Sequence, residues 1–213
     1  MWSWLSNRAP GYQKIADKLK LNYTENDDKK SLLALHKRFK LFKIGNSKKI
    51  KHILKCNTGL KDQTYLFEYS YTVSTGKSTS IIIQHVYSVF CPKDYPLLFI
   101  KPQNFLDDIG KWFGMQDIDF EAFPAFNKNY LVKAQNPPVF EKFMSPDVLG
   151  FLSYEKGWCV ESIGNQIIIY KATKRMNEEM VEPFYQAAST LYNLISGQKS
   201  LAGMDSIPAL KKK

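Results

Sequence analysis

Two runs of alternating side chains meet at Ser74-Thr75-Gly76-Lys77, and nothing else in the chain restricts its folding so tightly. In the first run Tyr65, Phe67, Tyr69, Tyr71 and Val73 fall on one side of an extended backbone, and Thr64, Leu66, Glu68, Ser70 and Thr72 on the other. Successive strand residues point to opposite faces, so one face is aromatic and the other mostly polar. In the second run Ile81, Ile83, His85, Tyr87 and Val89 alternate with Ile82, Gln84, Val86, Ser88 and Phe90. Both of its faces are largely apolar, which reads as a central strand covered on each side. A short polar turn with one glycine joins the runs into a β-hairpin.

The neighbouring segments extend this sheet. Residues 49–56 alternate Ile50, His52, Leu54 and Cys56 against Lys51, Ile53 and Lys55, a strand that pairs with the aromatic one. Pro92, Pro96 and Pro102 bracket a fourth short strand over 97–101, since proline has no amide to donate. Trp158, Val160 and Ser162, then residues 167–170, form a second hairpin through Gly164-Asn165. Helical spacing marks Tyr12, Ile15, Ala16 and Leu19 near the start, and Met180, Phe184, Ala188, Leu191 and Ile195 near the end. Phe105, Ile109, Trp112 and Phe113 suggest a further helix, as do Phe140, Phe143, Val148 and Leu152 across a break at Pro146. Residues 22–30 read as a polar loop, and Ser31 caps a short helical run.

These elements define an α+β fold: an antiparallel β-sheet meander packed mainly on one face against helices, with amphipathic N- and C-terminal helices. Residues 1–200 read as one domain, and 201–213, ending in three lysines, as a disordered basic tail. No apolar run approaches the ~18 residues that cross a bilayer, and the first residues lack the pattern of a signal peptide, so a cytoplasmic protein is expected. Cys56, Cys91 and Cys159 are isolated, which argues against a disulfide framework and a zinc site.

The net charge of +10 raises the question of nucleic acid. Only Arg8, Arg38 and Arg175 supply the guanidinium fork that recognises phosphate and guanine in two-point fashion, so the balance tilts away from it. Trp2 and Trp4 either dock the N-terminus on the domain or offer a peripheral membrane or partner contact.

Asp117, Asp119 and Glu121 alternate with Ile118 and Phe120 and would share one face of an extended segment. They form a candidate acidic site for Mg²⁺, Ca²⁺ or general-base chemistry. The same alternation suits a solvated sheet edge. His36, His52 and His85 are scattered, and His85 on a central strand reads as a core histidine. Tyr65, Tyr69 and Tyr71, exposed, could stack bases or pack a peptide; under helices they are core.

At Phe67-Glu68-Tyr69-Ser70-Tyr71, Gly76-Lys77, Gln84-His85-Val86, Phe113-Gly114-Met115-Gln116-Asp117-Ile118-Asp119-Phe120 and Pro124-Ala125-Phe126-Asn127-Lys128-Asn129-Tyr130, the chain resembles a bacterial family of uncharacterised proteins. Glu68, His85 and Asn127 depart from that pattern, which has aspartate, threonine and serine there. The resemblance implies no catalytic residue and no cofactor, and some members of the family look membrane-anchored. With no convergent acid, base, nucleophile or metal set, the expected function is a binding or scaffolding domain that recognises another protein. The alternatives are a divalent-metal hydrolase at Asp117, Asp119 and Glu121, and a binder of polyanions or membrane surfaces.

Overall fold

The computed structural model describes residues 8–56, 63–74, 76, 78–103, 105, 115–141, 143–172 and 176–197. Trp2, Trp4, Thr75, Lys77, the expected helix around Ile109 and Trp112, and the tail 201–213 lie outside them.

Among the described residues the fold is α+β, a seven-stranded antiparallel sheet packed with six helices. Its spine is the expected hairpin, β3 (Gln63–Ser74) and β4 (Thr79–Pro102), paired without a slip from Gln63 opposite Phe90 to Ser74 opposite Thr79. β2 (Asn46–Lys55) lies beside β3, and β1 (Asn22–Asn26) beside β2. The polar stretch expected as a loop therefore begins with an edge strand. Four of its five side chains are exposed, so hydrophobic periodicity could not reveal it; its order comes from backbone bonding to β2.

The strand expected at 97–101 is a continuation of β4 and not a separate element. Pro92 and Pro96 sit where the register shifts, between Phe90 and Leu98, so their missing amides interrupt no regular ladder. Beyond this bend β6 (Tyr130–Ala134) pairs with residues 98–102, and β5 (Gln116–Asp117) pairs with β6.

β7 (Trp158–Lys171) pairs with both halves of β4, residues 166–170 against 86–90 and residues 160–162 against 98–100. It doubles back on itself at Gly164-Asn165. The amide of Ala172 donates to the carbonyl of Gly157 at 2.7 Å, and the Tyr170 hydroxyl donates to Glu161 at 3.0 Å. A straight strand would hold those pairs tens of ångströms apart at ~3.3 Å per residue. Gly164, at φ +58°, supplies the left-handed conformation that the reversal needs. The β7 ribbon is thus wedged between the two halves of β4.

The larger apolar layer lies on one face of the sheet. It is formed by α1 (Ala9–Leu19), α3 (Pro124–Asn129), α4 (Pro137–Glu141), α5 (Pro146–Tyr154) and α6 (Val181–Ser196), over Leu66, Tyr87, Trp158 and Ile169 among others. Pro146 starts α5 at its first turn, where the Ser145 hydroxyl accepts the Val148 amide at 3.4 Å. On the opposite face, α2 (Ser31–His36) and a 3-10 turn (Leu41–Lys43) cover Phe67, Tyr69, Tyr71, Ile168 and Tyr170. The aromatic arm of the hairpin is core, beneath the smaller of the two covers. Gly45 closes that cover at φ +61°, and a methyl group there would stand 2.4 Å from the Thr72 carbonyl oxygen.

Candidate functional site

Three places on this frame carry chemistry, and burial separates their roles. The first lies between α1 and the sheet. Arg8 pairs with Glu68, and its guanidinium also donates to the Tyr12 hydroxyl at 3.2 Å and the Met176 carbonyl at 3.3 Å. The Tyr12 oxygen is 2.6 Å from His85 Nε2, and its ring stacks on His52 at 4.3 Å. Burial, reinforced by the Glu68 charge, raises the Tyr12 phenol, so it stays protonated and donates. Tyr12 and His85 are wholly buried and Arg8 and Glu68 nearly so. With Arg8 Nε also 3.5 Å from the Glu178 carboxylate, this network ties α1 and the segment around Glu178 to the sheet, and a substrate has no approach to its reactive atoms. His85 is the core histidine expected.

The second place is the acidic run. Asp117, on the edge strand β5, is 64% exposed and bonds Lys133 of β6 across the strand pair at 2.5 Å. Asp119 and Glu121 are also exposed, whereas Ile118 points into the core. Asn127 clamps the segment, accepting the Phe120 amide and donating to the Phe120 carbonyl, each at 3.0 Å. Among the described residues no group of three or more His, Cys, Asp or Glu side chains is placed to hold a metal ion. Tyr69 and Tyr71 are buried, and Tyr65 is half-buried, with the Lys55 ammonium 5.6 Å from its ring centre.

The third place is one that reading the chain as a whole did not reveal. Residues 29–55 hold ten of the thirty basic side chains and none of the twenty acidic ones. The remaining twenty cations and twenty carboxylates cancel, so this stretch carries the whole net charge of +10. It folds as α2, the 3-10 turn and β2, at one end of the sheet's less covered face. Lys29, Lys30, Lys37, Arg38, Lys43 and Lys49 are all exposed. A windowed charge count would have found it; the overall charge conceals it.

At the border of this region a cleft of about 550 Å³ opens between the segment 37–43 and residues 97–98 of β4 and 161–163 of β7. Lys37, Arg38, Lys40 and Lys43 line one side, and Leu97, Leu98, Met115 and Ile163 the other. Glu161, 2% exposed, forms the floor. Its carboxylate accepts the Lys40 amide at 2.6 Å, the Leu41 amide at 3.1 Å and the Tyr170 hydroxyl at 3.0 Å. Burial outweighs those donors and lifts the carboxyl to about 7. Beneath it Cys159 is wholly buried, and burial together with the Glu161 charge pushes its thiol well up, which makes it inert as a nucleophile.

Antiparallel sheets with helices layered mainly on one face form a class that hosts unrelated activities. Within it, the chain shares its fold with the mycobacterial trehalose monomycolate transport factor A, TtfA, whose crystal structure superposes with a TM-score of 0.62 at 8% identity over 93% of this chain and 99% of that one. No protein-family model and no curated protein matches the chain. Among the described residues no helix is long and apolar enough to cross a membrane.

Proposed function

We propose that the chain is a non-catalytic binding domain that docks an acidic region of another protein on the face built by residues 29–55. One observation carries this reading: the whole net charge is gathered on a single stretch of fold beside a half-apolar cleft, while the rest of the chain is neutral. A predominantly positive field of this kind, with Asp27 and Asp28 as acidic neighbours of Lys30, Lys48, Lys49 and Lys51, steers an oppositely charged partner and fixes its orientation. Lysine predominance favours a protein over nucleic acid, because phosphate and base recognition draws on the arginine fork. At 8% identity the likeness to TtfA speaks for the fold alone. A metal-dependent hydrolysis at Asp117, Asp119 and Glu121 has less support, since Asp117 is spent on Lys133 and its neighbours face solvent.

Capture from the source cell at low salt tests the proposal, comparing wild type with Lys29→Glu/Lys49→Glu/Lys51→Glu and with a control reversed elsewhere, Lys14→Glu/Lys20→Glu/Lys156→Glu. A partner held by wild type and the control but lost by the first variant is the expected result. Equal retention by both variants refutes it. Retention of nucleic acid or anionic vesicles in place of protein would move the reading to a general polyanion binder.

A further inference from the structure

We infer that the cleft above Glu161 seats a peptide carboxylate flanked by apolar residues, and that Glu161 takes up a proton when it does so. This rests on the basic face being the docking surface, and it specifies where and how the partner's charge is received.

The volume, about 550 Å³, falls in the range of ligand sites and would take a few side chains but no folded element. One wall offers cations and the other offers Leu97, Met115 and Ile163, so a segment alternating acidic and apolar residues satisfies both at once. The obstacle to such a ligand is the floor. Glu161 is pinned by two backbone amides and a tyrosine hydroxyl, so it cannot turn toward the cations on the rim or leave the cleft. An incoming carboxylate is drawn by four basic side chains and repelled by this one fixed charge. A neutral Glu161 keeps Oε1 to accept the Leu41 amide and the Tyr170 hydroxyl, weakens its bond to the Lys40 amide at Oε2, and removes the repulsion.

The surrounding groups leave Glu161 as the one that responds. From the segment 37–43, Lys37, Arg38, Lys40 and Lys43 line the cleft with it, and the Lys40 charge acts on its carboxyl. From β7 it faces Tyr170 and Cys159, both pushed up by burial and neutral near pH 7. From β4 comes Lys101, which is 3% exposed and donates to the Phe105 carbonyl. A carboxyl already raised to about 7 is half-protonated at neutral pH, so the proton is at hand. If the ligand requires the neutral form, affinity follows the protonated fraction and rises about tenfold from pH 8 to pH 6.

The probe is a synthetic acetylated peptide of alternating glutamate and leucine, titrated calorimetrically into the full chain at low salt. Wild type should bind about tenfold tighter at pH 6 than at pH 8, with proton uptake near one per peptide at pH 8, read from two buffers of different ionisation heat. Glu161→Gln should bind equally at both pH values, and Ile163→Glu should lose binding at both. Equal wild-type affinity at pH 6 and pH 8 without buffer-dependent heat overturns the role of Glu161. Undiminished binding by Ile163→Glu, or no wild-type binding at pH 6 up to millimolar peptide, overturns the site. Each of these failures leaves the basic face standing, because that reading is judged by reversal of Lys29, Lys49 and Lys51, none of which lines this cleft.

Discussion

Replacing Glu161 with glutamine should remove a pH-dependent part of the protein's stability. Folding takes this carboxyl from about 4.5 to about 7, with burial as the leading cause. A group that binds its proton more tightly when folded contributes stability that is full below pH 4.5 and is lost as pH rises toward 7. At ~1.4 kcal/mol per pK unit the loss is on the order of 3 kcal/mol, most of it between pH 5 and pH 8. Glutamine keeps the shape without ionising, at a cost that does not vary with pH, because the Lys40 and Leu41 amides bond different carboxylate oxygens and its NH2 must face one of them. Urea denaturation of both proteins at pH 5, 6, 7 and 8 isolates the term, since every other titrating group cancels in the difference. The wild-type curve should fall relative to Glu161→Gln as pH rises. Parallel curves would mean that the carboxyl is solvated, and the account of the cleft floor would be wrong.

Other perturbations test other parts of the structure. Arg8→Met strands Glu68 in the buried network and should cost about 3 to 5 kcal/mol in chemical denaturation, whereas Arg8→Met/Glu68→Leu should recover most of it. His36 donates from Nδ1 to the Leu32 carbonyl, which can only accept, so its Nε2 accepts the Ser88 hydroxyl, each at 2.7 Å. Burial lowers it from 6.5 to about 4, so wild type should lose roughly 3 kcal/mol as pH falls through that window, and His36→Gln should not. Gly45→Ala meets the Thr72 carbonyl and should shift the urea midpoint further than Gly164→Ala, where strain alone costs ~1–2 kcal/mol and the nearest atom is 3.9 Å away. Asp117→Asn, which removes an exposed pair, should cost under ~1 kcal/mol.

The parts that were legible in the sequence are those in which local pattern and backbone agree. The β3–β4 hairpin obeys a period of two through both arms, and the turn at Gly164-Asn165 announces itself by residue type. β1 stayed hidden because an edge strand with solvated side chains has no apolar period. His52 adopts φ +49° between two register points of β2, an irregularity that simple alternation over 49–56 cannot express. Among the described residues, the two buried carboxylates were illegible for another reason. Glu68 and Glu161 meet partners 60 and 121 residues away, and nothing near either in the chain distinguishes it from a surface glutamate. The acidic run was visible as alternation, but whether three carboxylates converge is a tertiary property. The basic face lay in plain view once charge was counted by segment.

The most direct check of the central claim is photo-crosslinking in the source cell, with a benzophenone side chain placed at Leu35 on the basic stretch or at Tyr154 on α5, both exposed. A discrete protein adduct at Leu35, absent at Tyr154 and abolished by Lys29→Glu/Lys49→Glu/Lys51→Glu, is the predicted outcome. An adduct at Tyr154 alone, or one at Leu35 that survives the charge reversal, would contradict it.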